Sequence, residues 1–239
     1  MKITGTAGND NLVGTADYDI ISGGAGDDTI DGGAGPDKMA GQDGNDTFLG
    51  GAGVDYMDGG AGVDSVNYER SNGAVTVDLR SGRGFGADAA GDTLVSVENL
   101  VGSQYNDTLT GNAGDNTLNG SLGNDRLSGN EGSDVLIGGF GNDQLTGGLD
   151  ADTFVFVTRS YGPQGGADVI TDFEVGTDVL QFHNPYWGGN GVHSVDDLTF
   201  SQAGSDTVIS YGYTGDSITL RNVDLEQLMS HAATDFLFT

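Results

Sequence analysis

The apolar positions of this chain recur with a period of nine. Leu12, Ile21, Ile30, Met39, Phe48, Met57 and Val66 keep that spacing, and after a break so do Leu109, Leu118, Leu127, Leu136, Leu145 and Phe154. Each sits in the same polar frame, with a glycine seven residues before it and, in all but one unit, an aspartate two before it, as in Gly23-Gly-Ala-Gly-Asp-Asp-Thr-Ile-Asp31. The units open at Gly5, Gly14, Gly23, Gly32, Gly41, Gly50 and Gly59, then at Gly102, Gly111, Gly120, Gly129, Gly138 and Gly147. Such a period marks a solenoid. Positions seven to nine predict a three-residue strand, in which period-two alternation points position eight to one face and its neighbours to the other. One apolar residue in nine cannot bury itself, but stacked coils turn it into a continuous ladder. Positions one to six must reverse the chain, and glycine permits the positive φ and close approach that a tight reversal demands.

The break at residues 68–101 alternates too. Ala74–Leu79 and Leu94–Leu100 read as strands, and Gly91-Asp-Thr-Leu-Val95 ends like a degenerate repeat. A longer coil continuing the roll is expected there, with Ser81–Ala90 as a protruding Gly-rich loop; the alternative is a flexible linker. The organisation read from this is a first block at 5–67, the coil at 68–101, a second block at 102–155 and a C-terminal region at 156–239. In that last region Thr153–Val157, Asp168–Phe173 and Thr177–Phe182 alternate. Leu198–Phe200 and Thr207–Tyr211 form a hairpin pattern, Ser217–Leu220 and Asp235–Phe238 are strand-like, and Leu225–His231 is a helix candidate. A solenoid needs its open end covered, and this segment is a β-rich cap.

Charge narrows the function. Against 36 acidic residues stand 8 basic ones, a formal net charge of −28, which repels nucleic acid and anionic membranes. Acidic, Gly-rich composition alone would read as disorder, yet the hydrophobic residues are strictly periodic, so the pattern asks for cations. Cysteine is absent, which excludes disulfides, thiol nucleophiles and zinc–cysteine clusters. Residues 1–12 lack the apolar core of a cleavable signal peptide, and no run of about 18 apolar residues spans a membrane. No catalytic signature emerges. His183, His193 and His231 are scattered, and neither a G-x-S-x-G elbow nor a P-loop is present. The aspartates are equivalent, whereas acid/base catalysis needs carboxylates in unlike environments. The chain is therefore expected not to be an enzyme. Of the pair Asp150 and Asp152, the first reads as a turn residue and the second as a repeat residue. Trp187 reads as a surface anchor of the cap, with stacking on a sugar ring as the alternative.

These units resemble the nonapeptide G-G-x-G-x-D-x-U-x (U apolar) of the RTX family, which forms a calcium-binding parallel β-roll, a right-handed all-β solenoid. Hard oxygen ligands, carboxylates and carbonyls, suit Ca²⁺. The resemblance implies that each ion lies between unit n and unit n+2. Carbonyls of positions two and four and the position-six Asp come from the first unit; carbonyls of positions one and three and another Asp come from the second. Carried over, the shells are Thr6, Gly8 and Asp10 with Gly23, Ala25 and Asp28; Asp19 with Gly32, Ala34 and Asp37; and Gly24, Gly26 and Asp28 with Gly41, Asp43 and Asp46. Gly33, Gly35 and Asp37 meet Gly50, Ala52 and Asp55, and Gln42, Gly44 and Asp46 meet Gly59, Ala61 and Asp64. In the second array Ser103, Tyr105 and Asp107 join Gly120, Leu122 and Asp125, while Asn116 joins Gly129, Glu131 and Asp134. Ser121, Gly123 and Asp125 join Gly138, Phe140 and Asp143, and Asn130, Gly132 and Asp134 join Gly147, Leu149 and Asp152. Gly139 and Gly141 belong to sites left half-made by the last repeats, which Asp172 and Asp178 are expected to complete. That implies about nine interior sites. Asn116 is a neutral ligand, and Asp17 and Tyr105 replace the fourth-position glycine, which weakens their sites.

The C-terminal region is similar to that of serralysin-like RTX proteases, through Asp168-Val-Ile-Thr-Asp-Phe173, Gly176-Thr-Asp178 and the final Asp235-Phe-Leu-Phe238. The resemblance implies an uncleaved signal for type I secretion, an ABC exporter as transient partner, and folding on calcium outside the cell. The alternative implied by the same repeat is a polysaccharide-binding module of alginate-modifying epimerases. Arg70, Arg80, Arg83, Arg126, Arg159 and Arg221 make a sparse surface for an acidic polymer.

Overall fold

A computed structural model describes residues 1–158, 165–184, 192–211 and 215–239. Arg159 and Trp187 lie outside the described residues. Two compact units divide at Asn112/Ala113.

In the first unit the repeats form short parallel strands that alternate between two sheets. They are β1 (Lys2–Thr4), β2 (Asn11–Thr15), β3 (Ile20–Ala25), β4 (Thr29–Gly33), β5 (Lys38–Asp43), β6 (Thr47–Leu49), β7 (Tyr56–Ala61) and β8 (Ser65–Asn67). One sheet stacks β1, β3, β5 and β7, with Lys2 beside Ile20 and Ile20 beside Lys38. The other stacks β2, β4, β6 and β8, with Asn11 beside Thr29 and Thr29 beside Thr47. Every partner is 18 residues away, so one coil is two nonapeptides. This is a parallel β-roll. Ile21, Ile30, Met39, Phe48, Met57 and Val66 lie between the sheets, none more than 1% exposed.

Several strands run past the three residues expected, to six in β3, β5 and β7. The reason is that rung-to-rung bonding continues into the turns: Gly26 N–H donates to the Asp43 carbonyl (2.8 Å) and Ala34 N–H to the Thr15 carbonyl (2.9 Å).

Residues 68–101 add β9 (Thr76–Asp78), β10 (Arg83–Phe85), β11 (Thr93–Val95) and β12 (Asn99–Val101), and β13 (Thr108–Thr110) follows. β11 stacks in parallel on β7, β12 on β8, and β13 on β9. The stretch expected as a protruding loop behaves otherwise. β10 lies antiparallel between β9 and β11, and Ala89 is fully buried in a single helical turn at Ala87–Ala89. Glycine-rich composition reads as loop, but pairing on both edges and the close approach at Gly84, where a Cβ would stand 2.6 Å from the Ala89 carbonyl, make it a strand.

The second unit contains β14 (Thr117–Asn119), β15 (Arg126–Asn130), β16 (Val135–Ile137), β17 (Gln144–Gly148) and β18 (Thr153–Val157). The cap follows as β19 (Ala167–Ile170), β20 (Val179–His183), β21 (Thr199–Ala203), β22 (Asp206–Tyr211), β23 (Asp216–Leu220), α1 (Leu225–Ser230), α2 (Ala232–Asp235) and β24 (Phe236–Phe238). β19 pairs in parallel with β17 and β20 with β18, β24 pairs with β20, and the β21–β22 hairpin closes on β23 antiparallel. Phe156, Phe182, Tyr211, Phe236 and Phe238 fill this end, with ring centroids 5.5–6.5 Å apart. Helix α1 is capped by Asp224, which accepts from Gln227 N–H at 3.0 Å.

Candidate metal centres

The position-six side chains are held by the roll itself. Each backbone N–H donates to Oδ1 of the aspartate one coil onward: Asp10 to Asp28 (2.8 Å), Asp19 to Asp37 (2.7 Å), Asp28 to Asp46 (2.8 Å), Asp37 to Asp55 (2.8 Å) and Asp46 to Asp64 (2.7 Å). In the second unit Asn116 donates to Asp134 (2.8 Å), Asp125 to Asp143 (2.8 Å) and Asp134 to Asp152 (2.9 Å). Position six must be followed by a strand whose position eight faces the core, so the ladder of carboxylates and the ladder of apolar side chains rise together.

One oxygen of each carboxylate is thus satisfied and the other is not. Oδ2 of Asp28, Asp37, Asp46, Asp55, Asp64, Asp134, Asp143 and Asp152 is buried and meets no hydrogen-bond donor among the described residues. Burying an ionised oxygen without a partner is costly. Burial accordingly pushes Asp64, Asp134 and Asp143 up to about 6 and Asp55 and Asp152 up to about 7. Room is kept beside these oxygens by position-one glycine. Gly41 has no positive φ, yet a Cβ there would overlap Asp46 Oδ2. At position two the demand is conformational as well: Gly24 has φ 121° and lies against the Thr6 carbonyl.

The carbonyls implied as ligands lie in the turns or in the strand ends that run into them, and several already accept one bond. Gly35 N–H donates to Ala52 (2.7 Å), Gly44 to Ala61 (2.9 Å) and Gly123 to Phe140 (2.9 Å). A carbonyl oxygen has two lone pairs, so each retains one acceptor position. Among the described residues no three Asp, Glu, His or Cys side chains form a metal cluster. The carboxylates instead come in successive pairs, and most of a shell of six to eight oxygens must be carbonyls. Orphaned carboxylate oxygens, turn carbonyls and space free of Cβ fit a calcium ion. When bound, Ca²⁺ supplies the positive charge these oxygens lack and ties successive turns together.

Not every expected ligand stands alike. Asp10 Oδ2 accepts from Thr6 N–H (2.6 Å) and Oγ1 (2.9 Å), and Asp107 Oδ2 accepts from Ser103 N–H (2.5 Å) and Oγ (3.0 Å). Asp178 joins the ladder, since its Oδ1 accepts from Asp152 N–H at 3.0 Å. Asp172 sits on the Gly147 and Gly148 amides, both at 3.0 Å. Asp150 is an exposed turn residue with φ 75°.

Three ladder members escaped the repeat pattern. Asp92 and Glu98 accept from Asp55 and Asp64 N–H at 2.9 and 2.8 Å, and Asp168 accepts from Asp143 N–H at 2.9 Å. The signal that could have found them is a carboxylate two residues before a buried apolar one: Asp92 with Leu94, Glu98 with Leu100, Asp168 with Ile170. It survives where the glycines are lost.

The RTX calcium-binding nonapeptide repeat family matches in four copies, at residues 4–39, 35–66, 97–127 and 120–154. No curated protein matches the chain. Among solved structures, the extracellular lipase LipA of Serratia marcescens is 21% identical over 93% of this chain, with TM-score 0.39. The chain spans 40% of that lipase's length. The AlgE6R3 and AlgE6R2 subunits of the Azotobacter vinelandii mannuronan C5-epimerase are 28% and 26% identical over 57% and 59% of this chain, covering 80% and 92% of theirs, each with TM-score 0.41. The repeats matched span half of the chain and coincide with its aspartate ladders, and the protein belongs to the RTX calcium-binding repeat family.

Proposed function

We propose that the chain is a non-catalytic module whose folding is switched by calcium, exported unfolded by a type I apparatus and folded outside the cell. The observation that carries this is the set of buried Oδ2 atoms without donors, which makes the folded state dependent on cations. About nine ions, held by the residues named above, is the capacity the ladders suggest. Cytosolic calcium is too low to fill such sites, so the chain stays extended for export; calcium outside completes the fold. The cap serves as export address and folding seed, since it supplies an ordered edge on which the repeats can stack. No helix among the described residues is long and apolar enough to cross a membrane.

Deleting Ser217–Thr239 removes β23, β24 and the buried Ile218, Leu220 and Phe236. We expect loss of secretion by a type I exporter and a higher calcium midpoint for folding of the purified remainder. Continued export would end the address role, and an unchanged midpoint would end the seed role. A second reading, polysaccharide binding, draws on a shallow groove of about 410 Å³ in the second unit, lined by Arg126, Gln144, Thr171 and Arg221. Retention on immobilised alginate that is lost in Arg126→Ala is its test.

A further inference from the structure

One rung of the first unit is closed by a side chain from outside its own turn, whereas Asp10, Asp19 and Asp107 take donors to Oδ2 from four residues before them. Asp92 is fully buried, and its Oδ1 accepts from Asp55 N–H as on any regular rung. Its Oδ2 is not orphaned. It accepts a hydrogen bond from the hydroxyl of Tyr68 at 2.9 Å, and Tyr68 is itself only 3% exposed.

The place of Tyr68 in the register gives this meaning. Counting nine from Gly59, it stands where the next unit would have its position-one glycine, the residue that elsewhere leaves space beside Oδ2. The turn it opens ends at Val75, which occupies a ladder place: its N–H donates to Asp107 Oδ1 at 2.7 Å. Val75 brings no carboxylate. Moreover β10 lies between β11 and β9, so the turn of Asp92 and the turn of Val75 are about 10 Å apart, two strand spacings. Calcium–oxygen bonds of about 2.3–2.6 Å cannot bridge that opening, and one of the two carboxylates is missing. A phenol on a long, rigid side chain can. One turn beyond Val75, Asp107 is satisfied by hydroxyl and amide within its own turn, through Ser103.

We propose that Tyr68 stands in for a calcium ion: the interval between Asp92 and Val75 is a hydrogen-bonded, ion-free joint that ends one row of ions inside the first unit. The proposal rests on the reading that the regular intervals hold ions. At this joint a hydroxyl does the ion's work of satisfying a buried carboxylate, so the coil at 68–110 keeps its closure when calcium is scarce.

The test compares the full chain with Tyr68→Phe and Asp37→Asn, following folding by circular dichroism across a calcium series. The dependence of the folding constant on calcium concentration gives the number of ions taken up. Tyr68→Phe keeps the ring and removes the hydroxyl. The folded-to-unfolded ratio is expected to fall roughly 10- to 100-fold at every calcium concentration, as for a lost bond to a charged group, with ion uptake unchanged. An ion uptake altered by one or more, or an unshifted midpoint, would overturn the joint. Asp37→Asn is expected to reduce ion uptake; if it does not, the reading of regular intervals as ion sites fails, independently of Tyr68. Should Tyr68→Phe not fold, hydrogen exchange on the unmodified chain at falling calcium decides: the Thr93 and Thr108 amides stay protected after those of Ile30 and Met39 open. Simultaneous loss of all four would refute the joint.

Discussion

Stripping divalent cations from the chain at neutral pH is expected to unfold it. Eight carboxylate oxygens, on Asp28, Asp37, Asp46, Asp55, Asp64, Asp134, Asp143 and Asp152, are buried without a donor among the described residues. Each unsatisfied buried polar group costs about 1–3 kcal/mol, and more when charged, so together they cost about 8–24 kcal/mol. A domain's entire net stability is about 5–15 kcal/mol. The ladder of apolar residues cannot absorb that, because it offers one buried side chain for every nine residues ordered. Far-ultraviolet circular dichroism and size-exclusion chromatography in excess chelator should show an expanded chain that has lost the β signal of its regular repeats, and calcium should restore a compact β spectrum cooperatively. Magnesium should restore far less, since it dehydrates reluctantly and demands octahedral geometry that a carbonyl-rich turn does not offer. A compact β-roll that persists in chelator at neutral pH would show that the fold does not depend on calcium.

Acid should act in opposite senses on the two states. Burial raises the folded-state pKa of Asp55 and Asp152 to about 7 and of Asp64, Asp134 and Asp143 to about 6, against about 3.9 in an unfolded chain. The ion-free fold is therefore most stable below about pH 4 and loses that stability as pH rises through 6–7, while calcium affinity should fall as pH drops through the same window, because ligand oxygens must be deprotonated; calcium midpoints that do not move between pH 8 and pH 5 would contradict both. Gly41→Ala places a methyl on Asp46 Oδ2, whereas Gly8→Ala meets nothing within 4 Å, so the first should raise the calcium midpoint many-fold and the second change stability by less than about 1 kcal/mol, as read by calcium-dependent melting. Asp28→Ala should weaken calcium binding measured by calorimetry far more than Thr29→Ala, since Asp28 is buried and accepts from Asp10 N–H while Thr29 is exposed on a strand; equal losses would refute the assigned register.

The nonapeptide period carried much of this protein. The two-unit coil came from the family resemblance and is seen in the 18-residue pairing of the strands. Because position eight must face a core and position six must precede it by two, the period itself carried the apolar ladder from Ile21 to Phe154 and the aspartates that lie beside it. Those are local rules, repeated thirteen times, and repetition makes a weak local signal strong. The cap hairpin followed from alternation in the same way, and the helix near residue 225 stood out as a candidate in the sequence, while its Asp224 cap is a feature of the fold. What the tertiary structure decided is where the repeats stop being copies. Glycine-rich Arg83–Phe85 became a strand only because β9 and β11 pair with it from both sides, a condition no local window contains. Asp92, Glu98 and Asp168 joined the ladders through partners 37, 34 and 25 residues away, spacings set by insertions rather than by the period. That Tyr68 reaches Asp92 depends on the spacing of stacked turns, and only the folded coil fixes that spacing.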